Sequence, residues 1–417
     1  MNQITKSKLT TLVLGIFLIL SNVTMAFAGT PVVQPPSLSV IDQEITATAE
    51  YLKTSANINA TTDFYNSSKL LILLLRSGIS CTNLVDSYLS QVSTAYISNG
   101  ELKLADPLTD YAYLSIILAL SGKDATNFKG FNLIQKYETA IINADQATLN
   151  TINPYKLPHL YSVAYAYAKE FKNSSACLAK IKAALLSYAN EKGIVNWGNS
   201  SDNNGFALSG LSILSTSDSN MKILVENAIT FSQSLLQSDG TSAGDFGWTA
   251  FSNSDSTAAS LTLYSTYGLK DLAAKSYAGL LTFKNSAQVG AYSYTNAAEA
   301  VSSYATIDAF YSLVSYRAVL ANLSAPFDVS DKLASAIIPL NTPETETAGI
   351  TSSSTMDTSF AIDYTATIDS AIDISKTSPA TSDSNITTIF FLISLVSACG
   401  VFTIMSLQNR QNKRRNS

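Results

Sequence analysis

Histidine occurs once in the 417 residues, at His159, and that scarcity limits the chemistry from the outset. A catalytic zinc site gathers several nitrogen or sulfur ligands at one point, and His159 has only three cysteines to join it. One of these, Cys399, lies in a long apolar run, which leaves Cys81 and Cys177. They could pair in an oxidising compartment, but two cysteines are no disulfide framework, and two separate buried thiols are expected. A Ser-His-Asp triad would rest on the same histidine, with no Gly-x-Ser-x-Gly elbow to accompany it. Next to Pro158 at the start of an apolar stretch, His159 is expected to cap or pack, although that position could line a pocket mouth.

Basic residues are in short supply too. Two lysines (Lys6, Lys8) sit near the N-terminus and four basic residues (Arg410, Lys413, Arg414, Arg415) near the C-terminus. Setting these six aside from 26 leaves 20 Lys+Arg against 31 Asp+Glu, a charge near −11 for the rest. Such a balance argues against nucleic acid and against adhesion to anionic lipid.

The two ends carry targeting patterns. Lys6 and Lys8 precede an apolar run and the small-residue site Ala26-Phe27-Ala28, the plan of a secretory signal peptide over 1–28. Residues 386–407 form 22 consecutive uncharged positions, enough to cross a hydrocarbon core of about 30 Å. The basic tail 408–417 follows and is expected on the cytoplasmic side, which puts the preceding chain outside. Just before the span, Ser378-Pro379-Ala380-Thr381-Ser382-Asp383 resembles the sorting signals of Gram-positive wall proteins. Ser382 stands where those signals carry glycine, so direct anchoring to the outer face of the membrane is expected ahead of cell-wall attachment.

Residues 326–385 are rich in Ser, Thr, Ala and Asp, with nine acids and two lysines, and read as an extended spacer. Folded structure is therefore expected over 38–325, where the chain repeats. Apolar stretches recur at 63–77, 110–121, 157–171, 204–215, 255–267 and 304–320, starting 47 to 51 residues apart. Several open on Asp or Asn, which cap free helix amides. Three end at Gly78, Gly122 or Gly268, suited to a left-handed C-terminal turn. Being apolar on nearly every face, these helices must be surrounded by protein. Between them run one-sided helices, such as Leu84, Tyr88, Val92 and Tyr96, or Leu224, Ala228, Phe231 and Leu235. The fold expected is all-α, an (α/α)6 toroid of six inner and six outer helices.

The period and the turns Asn196-Trp197-Gly198-Asn199, Asn204-Gly205-Phe206 and Asp245-Phe246-Gly247-Trp248 resemble the prenyltransferase and terpene-cyclase toroids. Within that superfamily the chain is similar to toroid modules of Gram-positive surface proteins, themselves related to the vitamin B12 carriers. The resemblance implies a ligand site at the mouth where the inner helices begin, and it brings in a corrinoid as one ligand. No cofactor or metal is otherwise expected. The cyclases use the acidic cluster Asp-x-Asp-Asp-Thr-Ala, and the matching Asn253-Ser254-Asp255-Ser256-Thr257-Ala258 keeps one acid. Without a partner carboxyl, Asp255 is expected to cap its helix, and no catalytic residue is assigned.

The expected function is thus a surface-displayed, non-catalytic binding or adhesion module for an extracellular small molecule, glycan or protein. Its expected contacts are aromatic rings in the entry turns: Trp197, Phe206, Phe246, Trp248, Tyr292 and Tyr294. The alternative is a glycan-active hydrolase or lyase, or a degenerate cyclase-like enzyme. For a glycosidase, two carboxyls across a cleft would come from Asp202, Asp245 and Asp255.

Overall fold

The computed structural model describes residues 34–336, apart from 197 and 245–250. The segments expected to be a signal peptide, a spacer beyond 336, a membrane span and a basic tail lie outside the described residues. So do Trp197, Phe246 and Trp248.

The described chain is all-α. Its strands are three two-stranded hairpins: β1 (Ile97–Ser98) with β2 (Glu101–Leu102), β3 (Ala189–Asn190) with β4 (Gly193–Ile194), and β5 (Ser242–Gly244) with β6 (Phe251–Asn253). The helices fall into the two kinds that the sequence pattern predicts. One-sided helices are α1 (Leu38–Ser55), α3 (Thr82–Tyr96), α5 (Leu133–Asn143), α8 (Ser174–Leu186), α11 (Ser219–Leu235) and α13 (Lys270–Leu281). Helix α1, for example, buries Ile41, Ile45, Ala49 and Leu52 and leaves Gln43, Thr46 and Glu50 exposed on its other face. The apolar kind comprises α2 (Phe64–Ser77), α4 (Asp110–Leu120), α7 (Leu157–Ala166), α9 (Ser201–Ala207) with α10 (Ser212–Ser217), α12 (Ser254–Thr266) and α14 (Ser303–Leu320). Every residue of α4 except Leu120 is buried.

Neighbour contacts within the apolar set run α2–α4 and α4–α7, then α9–α12 and α12–α14, and α14 returns to α2. The first amphipathic helix, α1, packs on the last apolar one, α14, and Asp42 pairs with Arg317 across that contact at 2.5 Å. Two further short helices are α6 (Gln146–Leu149) and α15 (Ser330–Ala336).

The helix boundaries follow their caps. Asp63 accepts the amide of Asn66, Ser200 that of Asn203, Asn253 that of Ser256 and Ser302 that of Ala305. Gly78 closes α2 with a left-handed φ of 78°, as expected.

Three expectations are corrected here. The stretch 204–215 is two helices, α9 and α10, because the chain turns between them at Gly210, whose φ is +70°. The N-cap of α12 is Asn253, so Asp255 does not cap its helix and its carboxyl is free for another role. The folded part also runs past 325. Phe327 and Val329 are 3 % and 0 % exposed. Arg76 of α2 grips this segment, donating from Nε to the carbonyl of Pro326 at 3.1 Å and from Nη1 and Nη2 to the two carboxylate oxygens of Asp331 at 2.9 Å. Composition marks 326–336 as spacer because two buried apolar side chains and one arginine far upstream suffice to hold it. Cys81 and Cys177 are buried and free, as the sequence suggests.

Candidate functional site

The first two turns of four apolar helices repeat one placement. In α2, α9, α12 and α14 the second residue is Tyr65, Asp202, Asp255 or Tyr304, and four positions on stand Lys69, Phe206, Ala259 or Asp308. Residues four apart share a helix face, so each helix turns the same edge inward. Of these eight, all but Ala259 line one cavity of about 220 Å³, together with Tyr155, His159 and Tyr311.

Ala259 serves the site in another way. A Cβ on Gly205 would fall 2.1 Å from the carbonyl oxygen of Ala259, so glycine there lets α9 and α12 approach backbone to backbone. That approach draws the first turns of the two helices together, and with them Asp202 and Asp255.

The cavity holds three carboxyls against one cation. Lys69 Nζ pairs with Asp308 Oδ1 at 2.8 Å, both largely buried. Burial opposes the lysine charge, yet Asp308, Tyr65 and Asp255 together outweigh it and hold the ammonium above its ordinary range. The same Nζ lies 5.4 Å from the ring centres of both Phe206 and Tyr311. Burial pushes Asp202 up to about 7, and Asp308 adds to the effect. Asp255 also rises to about 7, first through burial and then through the charges of Asp308 and Asp202. Asp202 Oδ1 is buried with no hydrogen-bond partner in the protein, whereas Asp255 Oδ1 accepts from Ser254 Oγ at 3.2 Å.

Aromatic side chains form the walls and floor. Phe206 stacks on Tyr311 at 5.5 Å and meets Tyr155 edge-on at 5.9 Å, and Tyr155 donates to Asn203 at 2.7 Å. His159 is 2 % exposed and lies at the floor. Its Nδ1 bonds Tyr113 Oη at 2.7 Å and its Nε2 bonds Tyr311 Oη at 3.2 Å. Burial, followed by Lys69 and Lys156, drives its pKa well below 6.5, so the ring is neutral. Phe327 stacks beneath it with ring centres 3.5 Å apart. The histidine is therefore a packed floor residue, as expected, and it borders the cavity from below. Tyr304 stands at the outer edge, 73 % exposed.

Of the aromatic contacts expected from sequence, Phe206 lines the cavity. Tyr294 is half-buried beside it. Its carbonyl accepts the Ser254 amide at 2.9 Å, and its ring meets Phe251 edge-on at 6.0 Å. Tyr292 is different: at 0 % exposure, among Thr48, Glu44 and Tyr277, it packs between the helix layers and offers no surface to a ligand. Asp202 and Asp255 are brought together, Asp245 lies outside the described residues, and the third carboxyl is Asp308.

Three acids sit within the first two turns where helix amides point, and their charge opposes an incoming anion. Among the described residues no three His, Cys, Asp or Glu side chains converge as a metal-binding group. No family model matches the sequence, and neither a curated protein nor a solved structure matches the chain.

Proposed function

We propose that the chain is an exported, membrane-anchored surface protein whose helices close into an (α/α)6 toroid, and that its mouth cavity binds a saccharide unit. The observation that carries this reading is the convergence of three carboxyls, one lysine and an aromatic wall on a single small cavity. Carboxyls in both protonation states accept and donate hydrogen bonds to hydroxyl groups, while ring faces such as Phe206 and Tyr155 pack against the C–H faces of a sugar. The return of the helix contacts from α14 to α2 supports the toroid.

Size and charge argue for the ligand class. Drug-sized ligands fill pockets of about 300–1,000 Å³, and about 220 Å³ suits one small polar ring better than a corrinoid macrocycle or a polyisoprenoid. An excess of acids disfavours a phosphate or carboxylate ligand. The uncharged span at 386–407 with its basic flank, and the signal-peptide pattern at 1–28, support display outside the membrane.

Calorimetric titration of the full-length chain with neutral monosaccharides and oligosaccharides tests the assignment. Saturable binding is expected, with Tyr304→Ala weakening it by about 1–2 kcal/mol, the loss of one exposed aromatic contact. No heat with any saccharide, alongside binding of an anion or a corrinoid, would refute it.

A further inference from the structure

We infer that the cavity is catalytic and hydrolyses the terminal glycosidic bond of a glycan, with Asp202 and Asp255 as its proton-donating and proton-accepting carboxyls. This rests on the saccharide reading above and adds a reaction to it.

The geometry has three parts. Asp202 and Asp255 occupy the same second position of adjacent helices, which Gly205 allows to meet backbone to backbone. Both carboxyls line the same cavity. The Asp202 Oδ1 atom is buried among the lining residues without a hydrogen-bond partner in the protein, a position that a shared proton can satisfy. Hydrolysis of a glycoside uses two carboxyl groups in different protonation states. Burial and the nearby charge of Asp308 raise both groups, Asp202 raises Asp255 further, and two neighbouring carboxyls that both titrate near neutrality hold about one proton between them.

The step balances with water as the only co-reactant. The protonated carboxyl gives its proton to the bridging oxygen as the bond from that oxygen to the anomeric carbon breaks, and the electron pair stays on the oxygen. A water molecule adds to the anomeric carbon and yields its proton to the ionised carboxyl. The pair ends with the one proton it began with. Asp308, fixed by Lys69, contributes a nearby acid group against the positive charge that develops on the sugar ring. The other titratable groups facing the pair are Tyr65, Tyr155, Tyr294, Tyr304, Tyr311 and the neutral His159.

The floor decides which bond is cut. His159 and Tyr311 pack on Phe327, and the burial of all three closes the cavity on that side. A glycan therefore enters end first, and the product is a monosaccharide.

The experiment offers the full-length chain a panel of 4-nitrophenyl α- and β-hexosides and N-acetylhexosaminides, together with unmodified oligosaccharides. Expected results are nitrophenolate release, a monosaccharide product and a bell-shaped pH profile centred near neutrality. Asp202→Asn and Asp255→Asn should each lower turnover by about 10²–10⁴-fold while calorimetry still shows saccharide binding. A circular-dichroism melt confirms that each variant folds. Saccharide binding with no release by the wild-type chain across the panel overturns the inference and leaves the binding site standing. Turnover that survives both substitutions overturns the assignment of the two residues. If no saccharide binds at all, the reading beneath it fails as well.

Discussion

Lys69→Met is expected to lower the free energy of unfolding by about 3 kcal/mol, well beyond the roughly 0–1 kcal/mol typical of an exposed ion pair. The reason is position. Lys69 and Asp308 are 12 % and 21 % exposed, so removal of the ammonium leaves a carboxyl largely shut off from water, with two more acids lining the same cavity. Two cation–ring contacts are lost in the same change. The pair also joins α2 to α14, the contact that returns the order of apolar helices to its start. Urea unfolding of Lys69→Met, Asp308→Asn and the double variant measures the coupling. The double variant should recover much of the loss, because no unpaired charge remains. A single-variant cost under about 1 kcal/mol would mean that the pair behaves as an ordinary surface bridge.

The second large effect is on stability against pH. A carboxyl raised from its ordinary 3.8 to about 7 keeps its proton in the folded protein after the unfolded chain has released it. The stabilisation is fully present below about pH 4 and is lost as pH rises through 7. Over that window the contribution of Asp202 alone is on the order of 4 kcal/mol. Asp110, raised to about 6 mainly by burial, acts in the same direction. His159 acts in the opposite one. Its folded pKa is depressed, so the unfolded chain takes up a proton below pH 6.5 that the folded protein refuses. Three acids against one histidine leave a melting temperature that falls between about pH 5 and pH 7. The difference between wild type and Asp202→Asn isolates the carboxyl, because the variant should lose the slope that Asp202 contributes. An identical pH profile for the two proteins would show that Asp202 titrates normally.

The helical plan was legible because burial leaves a mark on spacing. A helix enclosed on all sides, such as 110–120, is apolar throughout, and one with a wet face, such as 38–55, is not. The break at Gly210 was hidden, since a glycine inside an apolar run reads equally as tolerated or as a stop. Asp202 and Asp255 stood out as acids near helix starts, but their pairing depends on Gly205 approaching Ala259, a contact between residues 54 apart in sequence. Asp308 was missed because it sits in the second turn of its helix, past the entry turn and cap, and its partner Lys69 is 239 residues away. A signal for it did exist. Aligning the repeats by their caps puts Tyr65 and Lys69, Asp202 and Phe206, and Tyr304 and Asp308 in the same two inward positions. Tyr292 misled for the converse reason, as an aromatic in an entry turn can point into the layer between helices instead of toward the mouth.

The most direct measurement of the central claim is a crystal structure of the chain with an oligosaccharide bound. The account predicts the terminal sugar inside the cavity, its hydroxyls within hydrogen-bond distance of Asp202 and Asp255, one face against Phe206 or Tyr155, and the rest of the chain leaving past Tyr304. A saccharide bound on an outer face, with the cavity among Asp202, Asp255 and Asp308 untouched, would contradict it.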